Sequence, residues 1–265
     1  MSLNAVQDVL AGLRARDMWW TRAIWDIKRR YSESLLGPIW IAGGLATMSA
    51  AIGLLYARVF GIHREAILPW ITAGFLVWYL ISTSIGGATS IFAMNRAAIL
   101  HSAGPMSPHI FRLVSRELLV FAHNIGVFLI VAVIYGILTS IQIWWLPPAL
   151  ALVLINVAWM ALIVACLSVL YADIPPIVQY GTLLAMFITP LFWIPGVAGR
   201  GRNLGDTAVL DFNPFYYLVT VVREPLLGRT PELNIWIGCV VLALVGWAAA
   251  LLVFQSTRRK IALAL

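Results

Sequence analysis

Charge is scarce in this sequence. Only 11% of its 265 residues are Asp, Glu, Lys or Arg, whereas 62% are hydrophobic and the mean hydropathy is +0.91. A soluble domain carries about 25% charged residues, so this composition excludes an ordinary water-soluble protein. The apolar residues recur in separate long runs, which predicts an all-α polytopic membrane protein with a single domain over 1–265.

Cysteine and the common metal-binding patterns are also nearly absent. The two cysteines, Cys166 and Cys239, lie in apolar runs without CxxC spacing, so we expect neither a disulfide framework nor a thiolate metal site. The four histidines form no HExxH pattern. We therefore predict no catalytic residue and no metal site. The net charge of +7 is concentrated near the termini and in one loop, which disfavours nucleic acid as a partner.

Two further absences concern the energy source. There is no GxxxxGK[ST] loop to hold a nucleotide phosphate, so any ATP-driven work is expected in a partner subunit. No ionisable group is evident at mid-depth in the apolar runs, which disfavours ion-coupled transport. The first 31 residues also lack the apolar core of a signal peptide, so insertion is expected to use the first span.

Six apolar runs approach the length of about 20 residues that a bilayer core requires. These predicted spans are 38–60, 68–94, 118–141, 145–171, 177–194 and 234–254. Pro190 lies inside the fifth run, where a kink or break is expected. The same reading divides the chain into an interfacial helix (1–36), spans one to five (38–194), an external loop (195–233), span six (234–255) and a tail (256–265).

The cationic residues predict the orientation in the membrane. Twelve of the 18 lysines and arginines lie before the first span, in the loop after the second, or after the last. Cytoplasmic segments carry such an excess of positive charge. An even number of spans places both termini on one side, so we predict that both are cytoplasmic.

The stretch from Ala11 to Tyr31 has the pattern of an amphipathic helix. Its apolar residues recur at steps of three, four and seven, with cationic residues among them. Such a helix either anchors the chain or forms an entrance that attracts an anionic headgroup and stacks sugars on aromatic rings. The predicted entrance residues are Lys28, Arg29, Arg30, Tyr31 and Trp40. A place in the interfacial aromatic belt remains the alternative for Trp40.

The loop after the second span predicts a short helix over 96–101, followed by a break at Gly104-Pro105. A short cytoplasmic helix of this kind offers a moving partner a surface to grip, although an ordered surface turn is the alternative. The residues assigned to it are Asn95, Arg96, Ile99, Leu100 and His101.

Between the fifth and sixth spans, 212–222 is too apolar for free solution and too short to cross the bilayer. This pattern predicts a re-entrant helical segment. Charge and proline at 223–225 then return the chain to the aqueous face. The segment's candidate residues are Phe215, Tyr216, Tyr217, Arg223 and Glu224.

Four stretches in this order resemble the permease subunit of ABC-type polysaccharide exporters, the family that secretes O-antigen, capsule or teichoic-acid chains. They are DIKRRY (26–31) with LGPIW (36–40), DIPP (173–176), TPLFW (189–193), and NPFYY (213–217) with VREPLLG (222–228). Together with six spans, the resemblance covers essentially the whole chain, and its first stretch is closer to the O-antigen type.

The resemblance implies a homodimer in a bacterial inner membrane, bound to two ATP-binding-cassette ATPase subunits that hold ATP and Mg²⁺. Residues 95–110 would include the coupling helix, spans one and five would line a conduit, and 212–228 would form paired re-entrant helices at the exit. An undecaprenyl-diphosphate-linked glycan would arrive at the entrance. No cofactor is expected in this chain itself.

Three other functions compete with this interpretation. One is an exporter of a small lipophilic compound built on the same fold. Another is a membrane-bound glycan-modifying enzyme, whose catalytic carboxylate would be Asp173, Asp206, Asp211 or Glu224. The third is a scaffold without transport, which leaves the re-entrant segment unexplained.

Overall fold

A computed structural model describes residues 4–32, 38–101, 104–195 and 210–264. Over these residues the regular secondary structure is α-helix with two 3₁₀ turns, Leu138–Ser140 and Ile143–Trp145, and no strand. The helices are α1 (Ala5–Arg14), α2 (Arg16–Ser32), α3 (Pro38–Phe60), α4 (Arg64–Met94), α5 (Arg96–His101), α6 (Ser107–Ile134), α7 (Leu146–Leu170), α8 (Ile174–Ile188), α9 (Pro214–Leu226) and α10 (Leu233–Ala264). The prediction of an all-helical chain is confirmed.

Five of the described helices are long and apolar enough to cross a membrane: α3, α4, α6, α7 with its preceding turn, and α10. This number and length of apolar helices are those of a multi-pass membrane protein. The fifth predicted span corresponds to α8, which has 15 residues. At 1.5 Å per residue, α8 extends about 22 Å, less than the ~30 Å hydrocarbon core.

The third spanning helix, α6, starts at Ser107, well before the predicted boundary at residue 118. Pro108 suits the first helical turn, where its missing N–H has no intrahelical partner. The charges that follow are paired: Arg112 with Asp26, and Arg116 with the adjacent carboxylate. Because these charges are paired, the helix includes residues that the hydropathy pattern had placed outside the span.

The ends of three predicted spans also differ from expectation. The helix α6 ends at Ile134 rather than at residue 141, because Gly136 adopts a left-handed conformation with φ of 69°. The last helix continues past residue 254 through most of the predicted tail. The helix α8 ends at Ile188, and Thr189 is extended with ψ of 135°, as expected before Pro190. The predicted break at this proline is confirmed.

The predicted interfacial helix is two helices joined by an elbow at Ala15. The first, α1, has a capping box in which Asn4 and Gln7 bond each other's backbone N–H groups. The second, α2, packs along α6 and buries Ala23 and Ile27. Periodicity alone joined the two helices, whereas the Asn-x-x-Gln signature marks the separate start of α1.

Contacts between loops and termini define two ends of the helix bundle. At the basal end, Asp8 of α1 contacts both the start of α6 and Arg258 near the end of α10. At the apical end, the backbone N–H of Gln142, in the turn before α7, donates to the Pro225 carbonyl at 2.9 Å. The helix α4 lies centrally between the ends, packed against α3, α6, α7, α8 and α9.

The tightest helix pair is α7 with α10. Gly246 of α10 lies directly against the Trp159 ring, whose Nε1 donates to Asn156 Oδ1 at 3.0 Å. The Asn156 amide in turn donates to the Cys239 carbonyl at 3.1 Å. A small residue therefore permits the close approach, and a buried polar network holds the ring in place.

We expect Gly246→Ala to destabilise the protein by about 1–3 kcal/mol, because the added methyl overlaps a ring that cannot rotate away. Gly126→Ala is the matched control, since a Cβ on that glycine of α6 meets open space. Unfolding in mixed dodecyl maltoside and SDS micelles measures both changes. Equal effects of the two substitutions would refute the close contact.

Candidate functional site

A polar cavity of about 410 Å³ lies between α2, α4 and α6 near the basal end. Its wall includes two of the predicted entrance residues, Arg29 and Arg30, together with the polar residues Asp26, Ser90, Asn95, Arg112 and Arg116. The first stretch of the family resemblance therefore faces a cavity. Residues 33–37, which belong to the same predicted entrance, lie outside the described residues.

The cavity has an excess of positive charge. The Arg112 guanidinium pairs with Asp26, with Nε 2.7 Å from Oδ2, and Arg116 pairs with Glu117 at 2.7 Å. Within the described part of the chain, Arg29 and Arg30 have no carboxylate partner. Two arginines without a described counter-ion beside a cavity favour an anionic ligand.

A second cavity of about 280 Å³ adjoins the first, and Arg30 lines both. Trp40 and Tyr79 contribute aromatic rings to it, and the nearly buried Glu117 and Asn124 contribute polar groups. No described group bonds the buried Asn124 Oδ1. The wall thus combines a cation, hydrogen-bond acceptors and aromatic rings, which are the groups that recognise a hydroxyl-rich ligand.

The sequence interpretation missed the contribution of α6 to this site. It placed Arg112 and Arg116 in a connecting loop, and it did not select Glu117 or Asn124. The spacing of the two arginines by four residues places them on one helical face and was a readable signal. The residues of α2 and α4 that face these arginines across the cavity are distant in sequence and could not be predicted from spacing.

Two predicted entrance residues lie outside both cavity walls. Lys28 sits over the Trp25 ring, with Nζ 5.2 Å from its centroid. Tyr31 packs edge-on against His123, with 5.3 Å between the ring centroids. Burial raises the pKa of Tyr31 above its usual value of 10, so its phenol stays neutral at neutral pH. Lys28 and Tyr31 are therefore adjacent in sequence to the cavity-lining residues but do not line either cavity.

The predicted short helix over 96–101 is present as α5. It exposes Arg96, Leu100 and His101, while Ile99 anchors it in the core. Asn95 lies just before it and links α4 to α6: its amide donates to the Ile91 carbonyl at 2.7 Å, and its Oδ1 accepts from Arg112 at 3.4 Å. The chain from 104 to 106 is not helical, as the predicted break requires.

The carboxylate of Asp8, near the N-terminus, contacts both the segment that follows α5 and Arg258 near the C-terminus. The side chain of Asp8 is fully buried and accepts the backbone N–H groups of Met106 and Ser107 at 3.0 Å. The same carboxylate pairs with Arg258 at 2.7 Å. Nearby, the Ala5 N–H donates to Gln255 Oε1 at 2.7 Å. The helix α1 therefore clamps the start of α6 to the end of α10.

The predicted re-entrant segment, residues 212–222, corresponds to the helix α9, which begins at Pro214 and ends at Leu226. Its re-entrant course stays a prediction. Asn213 caps it by accepting from the Phe215 N–H at 3.0 Å and the Tyr216 N–H at 3.4 Å. The Asn213 amide also donates to Thr189 Oγ1 at 3.0 Å. The TPLFW and NPFYY stretches, far apart in sequence, are therefore in direct contact.

Arg223 of α9 is fully buried against the break after α8. Its Nη1 donates to the Pro190 carbonyl at 2.7 Å, and its guanidinium lies 3.6 Å from the centroid of the Trp70 ring. Trp70 donates from Nε1 to the Trp193 carbonyl at 3.1 Å. Burial lowers the pKa of Arg223 to about 9, which leaves it cationic at neutral pH.

The other residues predicted for this segment surround that contact. Phe215 meets Trp78 edge-on at 5.5 Å, and Glu224 pairs with Arg229 at 2.6 Å. The Tyr217 hydroxyl donates to the Asp211 carbonyl at 3.0 Å. Burial raises the pKa values of Tyr216 and Tyr217, so both remain neutral hydrogen-bonding groups at neutral pH.

The carboxylates considered for catalysis are not gathered into one site. Asp173 occupies the N-cap position of α8 but makes no capping side-chain bond. Glu224 is engaged by Arg229 at the apical end. Asp206 lies outside the described residues. Among the described residues, no group of three His, Cys, Asp or Glu side chains is placed to hold a metal ion.

No protein-family model matches this chain, and no curated protein matches it. The likeness to polysaccharide exporters therefore depends on the sequence motifs alone and stays a prediction.

Asp8→Ala should cost about 3–5 kcal/mol of stability, because it removes the buried carboxylate that pairs with Arg258 and that accepts backbone N–H groups at the start of α6. Asp17→Ala, an exposed first-turn acid of α2, should cost less than about 1 kcal/mol. Unfolding of the purified variants in mixed micelles tests this. A mild effect of Asp8→Ala would show that the clamp is dispensable.

Arg223→Gln should cost about 2–4 kcal/mol, because it removes a charged hydrogen bond and a desolvated cation–π contact. The control is Arg229→Gln, since that half-exposed side chain lies 5.4 Å from the same ring and should change stability by at most about 1 kcal/mol. Limited proteolysis near residue 190 gives a second readout. Unchanged cleavage in Arg223→Gln would count against the proposed fastening of this break.

Proposed function

We propose that this chain is the membrane-spanning permease subunit of an ATP-driven exporter that moves a lipid-diphosphate-linked, O-antigen-like polysaccharide across a bacterial inner membrane. The observation that carries the proposal is the pair of adjoining cavities at the basal end. One is cationic, with Arg29 and Arg30, and the other combines Trp40 with buried polar groups. A diphosphate suits the first cavity and a sugar suits the second.

The exposed helix α5 supports a partner ATPase. Its Arg96, Leu100 and His101 side chains are exposed, whereas Ile99 is buried and fixes the helix to the core. A moving partner would therefore bind a rigid surface. Asn95 at its root contacts Arg112, which pairs with Asp26 of α2. In this proposal, movement of α5 is transmitted to α2, which carries Arg29 and Arg30, through these polar contacts. The basal end would face the cytoplasm.

The path of the chain supports a sixth crossing by α8. The helix α7 begins beside the apical contact between Gln142 and Pro225 and has 25 residues, so its last turn lies at the basal end. The end of α8 lies at the apical end, where Pro190 meets Arg223. A helix of 15 residues completed by the segment through residue 195 would then form span five, and both termini would face the cytoplasm. The helix α9 would be the re-entrant element at the exit.

A homodimer is favoured by the exposed faces of α3 and α8. The helix α8 buries none of its residues, and Tyr180 and Phe187 are 64% and 59% exposed. Between α3, α4 and α8 lies a cavity of about 330 Å³ with an aromatic wall that includes Trp78 and Tyr180. A second copy against these helices would enclose an aromatic-lined conduit along which sugars slide by weak stacking.

No covalent chemistry is assigned to this subunit. ATP binding and hydrolysis in the partner would shift the dimer between closed and open states. The protein's own contribution would be to attract the diphosphate, orient the first sugar and transmit the motion of α5.

The test is ATPase activity of this chain with its partner ATPase in lipid nanodiscs, with and without a lipid-diphosphate-linked glycan. Arg30→Ala should raise the glycan concentration for half-maximal stimulation about tenfold, because it removes a cation from both cavities. Lys28→Ala is the matched control from the same cationic run and should leave stimulation unchanged. Arg96→Glu should abolish stimulation by disturbing the coupling surface.

Three results would contradict the proposal. Absence of a co-purifying ATPase would remove the energy source and favour the scaffold. Stimulation by a small lipophilic compound but not by the glycan would favour the alternative cargo on the same fold. Equal effects of Arg30→Ala and Lys28→Ala would show that the cavities do not bind the headgroup.

A further inference from the structure

An apolar groove of about 480 Å³ runs between the α1–α2 elbow and the helices α6, α7 and α10. On α6 it is lined by Phe111, Val114 and Leu118. These residues follow a stripe with three- and four-residue steps, on a different face from Arg112 and Arg116, which line the entrance cavity. The groove is therefore separate from the proposed cargo site.

The groove runs along the axis of α6, one of the helices long and apolar enough to cross a membrane. Its lining advances from Phe111 to Leu118, about 10 Å along α6, and reaches Leu154 and Trp247 in the middle of α7 and α10. The elbow residue Leu13 closes the basal end. Half of a hydrocarbon core is about 15 Å thick, so the groove extends from one interface toward mid-depth, as an acyl chain does.

The wall of the groove is mainly apolar. Trp19 Nε1 donates to the Gly12 carbonyl at 3.1 Å, and Trp247 Nε1 donates to the Ile155 carbonyl at 3.1 Å. With these donors engaged, the Trp20 indole N–H and the Ser115 hydroxyl are the polar side-chain groups left in the wall, and the rest of it is hydrocarbon. An alkyl chain matches this wall, whereas a sugar would lose hydrogen bonds to water without replacing them.

Two arginines, Arg14 and Arg16, lie next to groove-lining residues in the chain at the α1–α2 elbow. Arg14 follows Leu13 in the elbow, and Arg16 lies three and four residues before Trp19 and Trp20, so it shares their side of α2. Both arginines are exposed, and neither makes an ion pair with another described residue. Asp17 is the local carboxylate in this turn, which leaves an excess of one positive charge.

We propose that the groove binds an anionic phospholipid of the surrounding leaflet, with one acyl chain along α6 and the phosphate at Arg14 and Arg16. This inference goes beyond the proposed transport function and depends only on the chain lying in a membrane. Juxtamembrane arginines are attracted to anionic lipid headgroups. The bound lipid would hold the elbow, and so the Asp8 clamp, against the bundle.

The test counts lipids retained by the full-length chain in dodecyl maltoside micelles containing equal amounts of phosphatidylglycerol and phosphatidylcholine. Native mass spectrometry should show preferential retention of phosphatidylglycerol by the wild type. Arg14→Gln with Arg16→Gln should reduce this preference roughly 25-fold, the effect of losing two favourable phosphate contacts. Lys28→Gln, which removes one positive charge at the other end of α2, should retain it.

A second measurement concerns the acyl chain. Phosphatidylglycerol with brominated chains should quench tryptophan fluorescence, and Trp20→Phe should remove part of the quenching. Ala158→Phe, which adds bulk to the groove wall, should reduce retention of both lipids. The quenching result holds even where Ala158→Phe fails to fold.

Several outcomes would overturn the proposal. Equal phosphatidylglycerol retention by the arginine variant and the wild type would remove the headgroup site. Displacement of phosphatidylglycerol by an isoprenoid diphosphate would assign the groove to cargo. Conversion of a dimer to a monomer by Ala158→Phe, with lipid retention unchanged, would make the groove a contact between copies. None of these readouts requires ATPase activity, so they are independent of the transport proposal.

Discussion

The architecture depends on one requirement of an apolar medium: every backbone polar group must find a partner within the protein. The Thr189-Pro190 break would expose carbonyl groups in such a medium. The guanidinium of Arg223 bonds the Pro190 carbonyl, and Asn213 bonds the side chain of Thr189. Trp70 stacks on the buried cation, whose charge is thereby stabilised. The apical helix α9 and the break after α8 therefore form one structural unit.

At the basal end, carboxylates are the partners of the polar and charged groups at the start of α6. Three acids contact the first part of α6 and its arginines: Asp8 caps its start, Asp26 pairs with Arg112, and Glu117 pairs with Arg116. These pairings allow a charged helix start to continue into an apolar span. They also leave Arg29 and Arg30 as the positive groups that face the entrance cavity without a described acid. The cavity wall thus contains both the ion-paired residues that stabilise α6 and the two arginines proposed to bind the ligand.

Several features could be predicted from sequence because they have local causes. The apolar runs predicted the spanning helices, with the bounds of α3 correct at both ends. The Gly104-Pro105 break isolated α5, and Pro190 ended α8. Features with distant causes were missed. The long start of α6 needed the carboxylates of Asp8 from α1 and Asp26 from α2, and the separate helix α1 needed attention to capping residues rather than to periodicity.

By itself, the sequence determined the helical class, the membrane environment, the positions of the breaks and the cationic segment before the first span, because composition and local backbone chemistry act without distant partners. Only the tertiary structure decided which charges are paired and which face a cavity, because a guanidinium's environment depends on helices remote in the chain. It also decided that Arg29 and Arg30 line the cavities while Lys28 does not, although the three are adjacent. Helical rotation of about 100° per residue separates such neighbours, and packing against α4 and α6 selects which of them face inward.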